Sequence, residues 1–191
     1  MKTYRINEIF YSLQGEGYWT GTPIVFVRLS GCNLHCPFCD TEHESHVEMD
    51  MEGIIAEARR AAPDCRRICI TGGEPALQID AEFVSALHEA GYFLHIETNG
   101  TRELPPGIDW VTVSPKSDAV DSPAAMVRLA AADELKLVFQ GRDVEKWADF
   151  PAAHRFLQPC SCSNTAETVG YILDHPHWRL SLQTHKYLDI R

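Results

Sequence analysis

Short runs rich in β-branched and aliphatic residues alternate along this chain with amphipathic stretches, and that alternation constrains the fold more than any other feature. The runs are IVFVRLSG (24–31), RICITGG (67–73), FLHIETNG (93–100), WVTVSPK (110–116), ELKLVFQ (134–140), RFLQP (155–159) and WRLSLQTH (178–185), which predict strands. MEGIIAEARRAA (51–62), AEFVSALHEAG (81–91), PAAMVRLAAA (123–132) and SNTAETVGYILDH (163–175) repeat apolar residues at spacings of three and four, which predicts helices. Parallel neighbours need a long return connection and a helix supplies it, so the class is α/β with right-handed crossovers. A complete eight-stranded barrel takes about 250 residues. At 191 residues, the expectation is an incomplete (β/α) TIM-like barrel of about six parallel strands with shortened helical connections, an open doubly wound sheet being the alternative. Residues 1–191 read as one domain, with no repeat, linker or low-complexity segment.

Composition narrows the function. Seventeen Lys and Arg face 27 Asp and Glu, a net charge of −10 that repels a polyphosphate backbone and argues against nucleic-acid binding. No apolar run approaches the roughly 18 residues of a membrane span, and MKTYRINEIFYSLQGEG lacks a signal peptide's apolar core, so a cytoplasmic location is expected. Seven cysteines, three of them within eight residues, suit reduced thiols and a metal site better than a disulfide framework. The tails GCNLHCPFCDT, TGGEP, ETNG, SPK and QPCS follow strands at their C-terminal ends, the edge that carries the active site in parallel α/β folds.

The chemistry starts in CNLHCPFCDT. Cys32, Cys36 and Cys39 are spaced so that one loop wraps three irons of a cubane cluster, leaving a fourth iron open to an external chelate. Structural zinc is the rival, with His35 or His43 completing the ligand set, but zinc favours four ligands and CxxC pairs. Alone, the GGEP of residues 72–75 marks no more than a turn. Together, the CxxxCxxC loop after a first strand and GGEP resemble the radical S-adenosylmethionine superfamily. That resemblance implies a [4Fe-4S] cluster on the three cysteines and S-adenosylmethionine on its open iron, with Gly72, Gly73, Glu74 and Pro75 near the methionyl amine.

FYSLQGEGYWTGTPIVFVRLSGCNLHCPFCDT (10–41), continued by TGGEP, ETNG, SPK, ELK, QP and LQTHKYLDIR, resembles the 7-carboxy-7-deazaguanine synthase family over nearly the whole chain. The likeness implies ring contraction of 6-carboxy-5,6,7,8-tetrahydropterin with loss of ammonia, in queuosine and 7-deazapurine biosynthesis. A 5′-deoxyadenosyl radical takes hydrogen from C6 of the pterin and recovers it later. The implied substrate contacts are Leu13, Gln14, Gly15, Glu16, Arg28, Thr71, His185 and Arg191, the last through its terminal carboxylate as the tail closes the pocket. Arg28 sits inside an apolar strand, where a charge needs a partner, and its planar fork matches a carboxylate; a surface salt bridge is its bland alternative. Phe38, Cys39, Asp40, Gly73, Ser114, Pro115, Lys116, Gln158, Pro159, Cys160 and Ser161 are the implied cofactor contacts. Family members often carry tryptophan at the place of Phe38, which keeps the aromatic face and loses an indole donor. Magnesium is implied at Thr41, where hard oxygen ligands suit it, although a threonine also caps turns.

No general acid or base is assigned. Cys65, Cys69, Cys160 and Cys162 read as structural thiols. A flavodoxin or ferredoxin reductant is expected for a low-potential cluster, and a homodimer from the family. Two rivals remain: another radical enzyme, such as a glycyl-radical-enzyme activase, and a non-catalytic metal-binding module.

Overall fold

The computed structural model describes residues 2–117, 120–142 and 144–191. Among these residues nine strands form one open sheet in the order β3-β1-β2-β4-β5-β6-β7-β8-β9. They are β1 (Tyr4–Leu13), β2 (Pro23–Leu29), β3 (Val47–Met49), β4 (Arg67–Gly72), β5 (Phe93–Thr98), β6 (Trp110–Val113), β7 (Ala132–Phe139), β8 (Ala152–Pro159) and β9 (Arg179–Leu180). From β2 to β9 every neighbour is parallel, while β1 pairs antiparallel with both β2 and β3. The incomplete barrel expected from the sequence is therefore present, widened on one side by an antiparallel pair.

Among the described residues, four α-helices accompany the sheet: α1 (Met51–Ala61), α2 (Ala81–Glu89), α3 (Thr165–Asp174) and α4 (Thr184–Leu188). The first two start where an aspartate accepts an orphan amide, Asp50 from Gly53 and Asp80 from Phe83, both at 2.9 Å. Their apolar stripes pack on one face of the sheet, where Val25, Val27, Leu29, Ile68, Ile70, Leu94 and Ile96 meet Ile54, Ala58, Phe83 and Leu87. Leu135, Leu137, Phe139, Leu157 and Trp178 form a second core.

Three expectations need correction. Residues 123–132 do not form a helix: a 3-10 turn covers Pro123–Ala125 and β7 begins at Ala132. The amides of Arg128 and Leu129 reach the Gly100 carbonyl, at 2.8 and 3.3 Å, instead of the preceding turn, and Met126 is 66% exposed, so no buried stripe rewards a helix. The strand predicted over 178–185 shrinks to β9, and Thr184 and His185 begin α4. Finally, β1 is a strand that the sequence pattern does not predict. Its pairing slips between Ile6 and Glu8, a bulge that breaks the two-residue alternation: Tyr4 and Ile6 face the helices, and so does Ile9.

Candidate active site

Alternation along each strand sends one set of side chains to the helices and the other to the inner face. Apart from a small apolar cluster at Phe10, Ile24 and Phe26, that inner set is largely polar: Arg28 from β2, Thr71 from β4, Glu97 from β5, Lys136 from β7 and Gln158 from β8 all line one cavity of about 370 Å³. The cavity opens at the C-terminal strand ends and continues to the cysteine loop and α4.

Around the thiols the chain is a cradle. Cys32, Cys36 and Cys39 border the cavity, and Cys36 and Cys39 also border a second hollow of about 320 Å³ beside His35, Thr41 and His43. Among the described residues, ligand atoms within 4.8 Å of one another are found at Cys69, His95 and Glu97. The donor set, three thiolates on one loop bordering a shared hollow, fits a polynuclear cluster. Burial raises the pKa of Cys32 and of Cys36, so coordination must displace their protons.

Two following loops fix this cradle. The amides of Gly73 and Glu74 donate to Leu29 O at 3.1 Å and Gly31 O at 2.9 Å. A Cβ on Gly73 would lie 2.1 Å from Gly31 O, and one on Gly72, where φ is +139, would lie 2.0 Å from Leu29 O, so only glycine permits the approach. Buried Glu74 is raised in pKa by desolvation, although it accepts from Thr98 Oγ1 at 2.7 Å, Asn99 N at 2.7 Å and Ala76 N at 2.9 Å. Asn33 completes the tie, donating to Thr101 Oγ1 at 2.9 Å and accepting from Asn99 Nδ2 at 3.1 Å. Across the cavity, Lys116 Nζ donates to Ser114 Oγ at 2.5 Å, and burial lowers its pKa. Ser161 holds a left-handed conformation (φ 45, ψ 40) just past β8, a strained backbone of the kind that gathers at ligand sites.

The far half of the cavity is a hydrogen-bonding floor. Lys136 Nζ donates to Glu16 Oε2 at 2.5 Å and Glu97 Oε1 at 3.0 Å. Desolvation opposes the ammonium, but Glu16, Glu97 and Glu134 override it and raise its pKa well above the usual lysine value. Burial likewise opposes the Glu97 charge, and Lys136 with the bond from Thr71 outweighs it, lowering the pKa to about 2. Gln14 Nε2 also reaches Glu97 Oε1, at 3.4 Å. His95 bonds Thr112 Oγ1 through Nε2 at 2.9 Å and is held neutral by burial, its pKa lowered to about 4. With Glu97 engaged by lysine, glutamine and threonine, the Cys69–His95–Glu97 trio is a polar layer beneath the floor.

The chain end closes the mouth. Thr184 N and Oγ1 donate to Gly15 O at 2.9 and 3.0 Å, and His185 lies over Gly15 so closely that a Cβ there would meet its Nδ1 at 2.1 Å. Asp40 accepts from Lys186 Nζ at 2.7 Å and Gln183 Nε2 at 3.1 Å. Arg28 Nε donates to Glu8 Oε1 at 2.9 Å, so the salt bridge expected as its bland alternative exists, yet the guanidinium still lines the cavity.

The structure gathers the expected residues. Leu13, Gln14, Gly15, Glu16, Arg28, Phe38, Asp40, Thr41, Thr71, Gly73, Ser114, Lys116, Gln158, Pro159, Cys160, Ser161, His185 and Arg191 line the cavity with the three cysteines, and Pro115 does not border it. Cys65 lies elsewhere, near Pro23 O, and Cys69 packs with Phe10, Ile24 and Phe26. Glu97, Lys136, Asn99 and Gln183 are site residues that the sequence pattern does not single out. The first three lie in ETNG and ELK, where a charged or amide side chain at an inward strand position is the available signal.

An open parallel sheet with a three-thiolate loop at its strand ends and a glycine approach beside it defines a radical S-adenosylmethionine protein, and the Radical SAM superfamily profile matches residues 26–136. The cluster and S-adenosylmethionine follow as its cofactors. More narrowly, the chain belongs to the 7-carboxy-7-deazaguanine synthase family. It is 54% identical over 187 residues to the 7-carboxy-7-deazaguanine synthase of Bacteroides thetaiotaomicron, covering 98% of each chain. It is 42% identical over 216 residues to that of Bordetella pertussis, covering 98% of this chain and 99% of the relative. The crystal structure of QueE from Escherichia coli superposes with a TM-score of 0.77 at 32% identity, covering 94% of this chain and 93% of that one.

Proposed function

We propose that residues 1–191 act as a single domain that contracts the ring of 6-carboxy-5,6,7,8-tetrahydropterin to 7-carboxy-7-deazaguanine with release of ammonia. One observation carries the reading: a single cavity joins a three-thiol cradle to an arginine and to a floor of alternating donors and acceptors. When bound, the cluster and S-adenosylmethionine supply a 5′-deoxyadenosyl radical. Everything else is orientation and shielding by the chain. Arg28 takes the substrate carboxylate, while Gln14, Glu16, Thr71 and the backbone of Leu13 and Gly15 read the donor and acceptor edge of the ring. Lys136, bridging Glu16 and Glu97, keeps Glu16 aimed into the cavity. Phe38, Ser114, Lys116 and the Gln158–Ser161 turn hold the adenosine side, and His185 with the rest of the tail excludes water.

Thr41 is the proposed magnesium ligand. It borders both hollows, whereas the neighbouring Asp40 carboxylate is engaged by Lys186 and Gln183. A single protein oxygen suits a cation that keeps most of its waters and takes the rest of its shell from substrate. A homodimer, reduction by a flavodoxin or ferredoxin and a cytoplasmic location complete the proposal; no helix among the described residues is long and apolar enough to cross a membrane.

The test is anaerobic turnover by reconstituted protein with the carboxylated tetrahydropterin, S-adenosylmethionine, reductant and Mg²⁺. Ammonia and deazaguanine should form together and decline on Mg²⁺ removal. S-adenosylmethionine cleavage without either product refutes the substrate assignment. The tail-covered cavity disfavours an activase, which has to admit a protein segment.

A further inference from the structure

The bulge in β1 has a functional consequence at Glu8. By shifting the pairing after Ile6, it turns Glu8, Phe10 and Ser12 to the inner face, directly opposite Arg28, Phe26 and Ile24 of β2. Glu8 and Arg28 are thus a cross-strand ion pair, Nε to Oε1 at 2.9 Å, with side chains 28% and 20% exposed. Arg191 lies along the same three inward positions of β1. Its guanidinium pairs with the other oxygen of Glu8 and sits 4.9 Å from the Phe10 ring centre, and its backbone oxygen accepts from Ser12 Oγ at 2.5 Å. Arg28 is 5.9 Å from that same ring centre. One carboxylate therefore stands between two guanidiniums that both line the cavity.

We propose that Glu8 is a positioning residue for carboxylate recognition, and that the Arg191 guanidinium is the second cation of that subsite. This rests on the proposed reaction, in which the substrate carries a carboxylate. A guanidinium is a flat fork: engaged at Nε by Glu8, Arg28 keeps its two terminal nitrogens in one plane for a second, bidentate carboxylate. Glu8 fixes that plane and brings Arg191 beside it. The tail thereby contributes through its side chain, with the opposite charge to the chain-end carboxylate that the family resemblance implies.

The experiment compares reconstituted wild-type, Glu8→Gln and Arg191→Gln enzymes. Each is assayed for kcat and KM with 6-carboxytetrahydropterin and for inhibition by tetrahydropterin, which has the ring and lacks the carboxylate. Losing one charge-assisted hydrogen bond raises KM about tenfold in either variant, with kcat within about threefold and inhibition by tetrahydropterin unchanged. The double variant should be weaker by much less than the product of the two, because the residues act through one contact. A parallel rise in KM and in the inhibition constant shows a general structural role and overturns the proposal, as does an unchanged KM. Wild-type enzyme that forms no deazaguanine refutes the reaction and the subsite together, whereas normal wild-type turnover with unaltered variants refutes the subsite alone.

Discussion

Replacing Lys136 by methionine probes the cavity floor most directly, because the change keeps the length of the side chain and removes only the cation. Lys136 is 6% exposed and bridges Glu16 and Glu97, themselves 16% and 22% exposed. In the native protein the Glu97 carboxyl falls from 4.5 to about 2, a contribution of about 3 kcal/mol at neutral pH. A group with a depressed folded pKa stabilises above its unfolded value, and the effect fades as pH drops from about 4.5 toward 2. Lys136, raised, stabilises below its unfolded value of 10.5 and loses this as pH climbs beyond it. Between those limits this pair makes wild-type stability flat. Lys136→Met leaves buried carboxylates uncompensated, which costs about 3 to 5 kcal/mol at pH 8. The folded pKa of Glu97 then rises above the unfolded one, so the variant should gain stability relative to the wild type as pH falls from 8 to 5, on top of the loss that both share as buried, neutral His95 protonates only on unfolding. Urea unfolding followed by circular dichroism at pH 5, 6.5 and 8 reads both effects, and Lys136→Met with Glu97→Gln should recover much of the loss. A loss under about 1 kcal/mol, or a variant profile parallel to the wild type's, would refute the reasoning.

Other sites give sharper yes-or-no outcomes. Gly73→Ala drives a methyl against the Gly31 carbonyl, which has no flexible end to move, so the cluster loop should shift and iron and sulfide per chain fall after reconstitution; full iron content with native S-adenosylmethionine affinity contradicts this. Gly170, in α3 with open space where a Cβ would stand, is the control, and Gly170→Ala should stabilise by about 0.5 to 1 kcal/mol, seen as a higher denaturation midpoint. Asp40→Asn removes the anchor of Lys186, and hydrogen exchange across residues 184–190 should quicken while exchange in β4 and β5 stays unchanged.

Much of this molecule is legible in its sequence because strand ends and chemistry coincide. The tails after 29, 72, 98, 113 and 159 carry the cysteines, the glycine, asparagine, lysine and serines that the structure gathers into one cavity. What escapes has identifiable causes. β1 is hidden by its bulge, which puts Ile6 and Ile9 on the same face three residues apart, a spacing that period-two patterning rejects. Residues 123–132 carry helical spacing but give their amides to Gly100, a tertiary choice that local propensity does not record. Glu97 and Lys136 look like solvent-facing positions of half-buried strands. That they face each other follows only from β5, β6 and β7 lying side by side.

The polar inner face also explains where the fold gets its stability. Closed barrels fill their interior with branched apolar side chains, whereas here β4 to β8 turn Cys69, Thr71, His95, Glu97, Thr112, Glu134, Lys136 and Gln158 away from the helices, all buried apart from partly exposed Glu97. Most of the apolar burial that drives folding is displaced to the other face, between the sheet and α1, α2 and α3. An incomplete barrel follows from this division. The interior need not close around an apolar core, so three connections, from β5 to β8, show no α-helix among their described residues, and the open side admits the tail. A sheet built this way tolerates large changes at its inner mouth only while its buried charges stay paired. Substitutions of Glu16 or Lys136 should therefore damage folding and substrate binding together, while substitutions of Glu8, on the antiparallel margin, should damage binding alone.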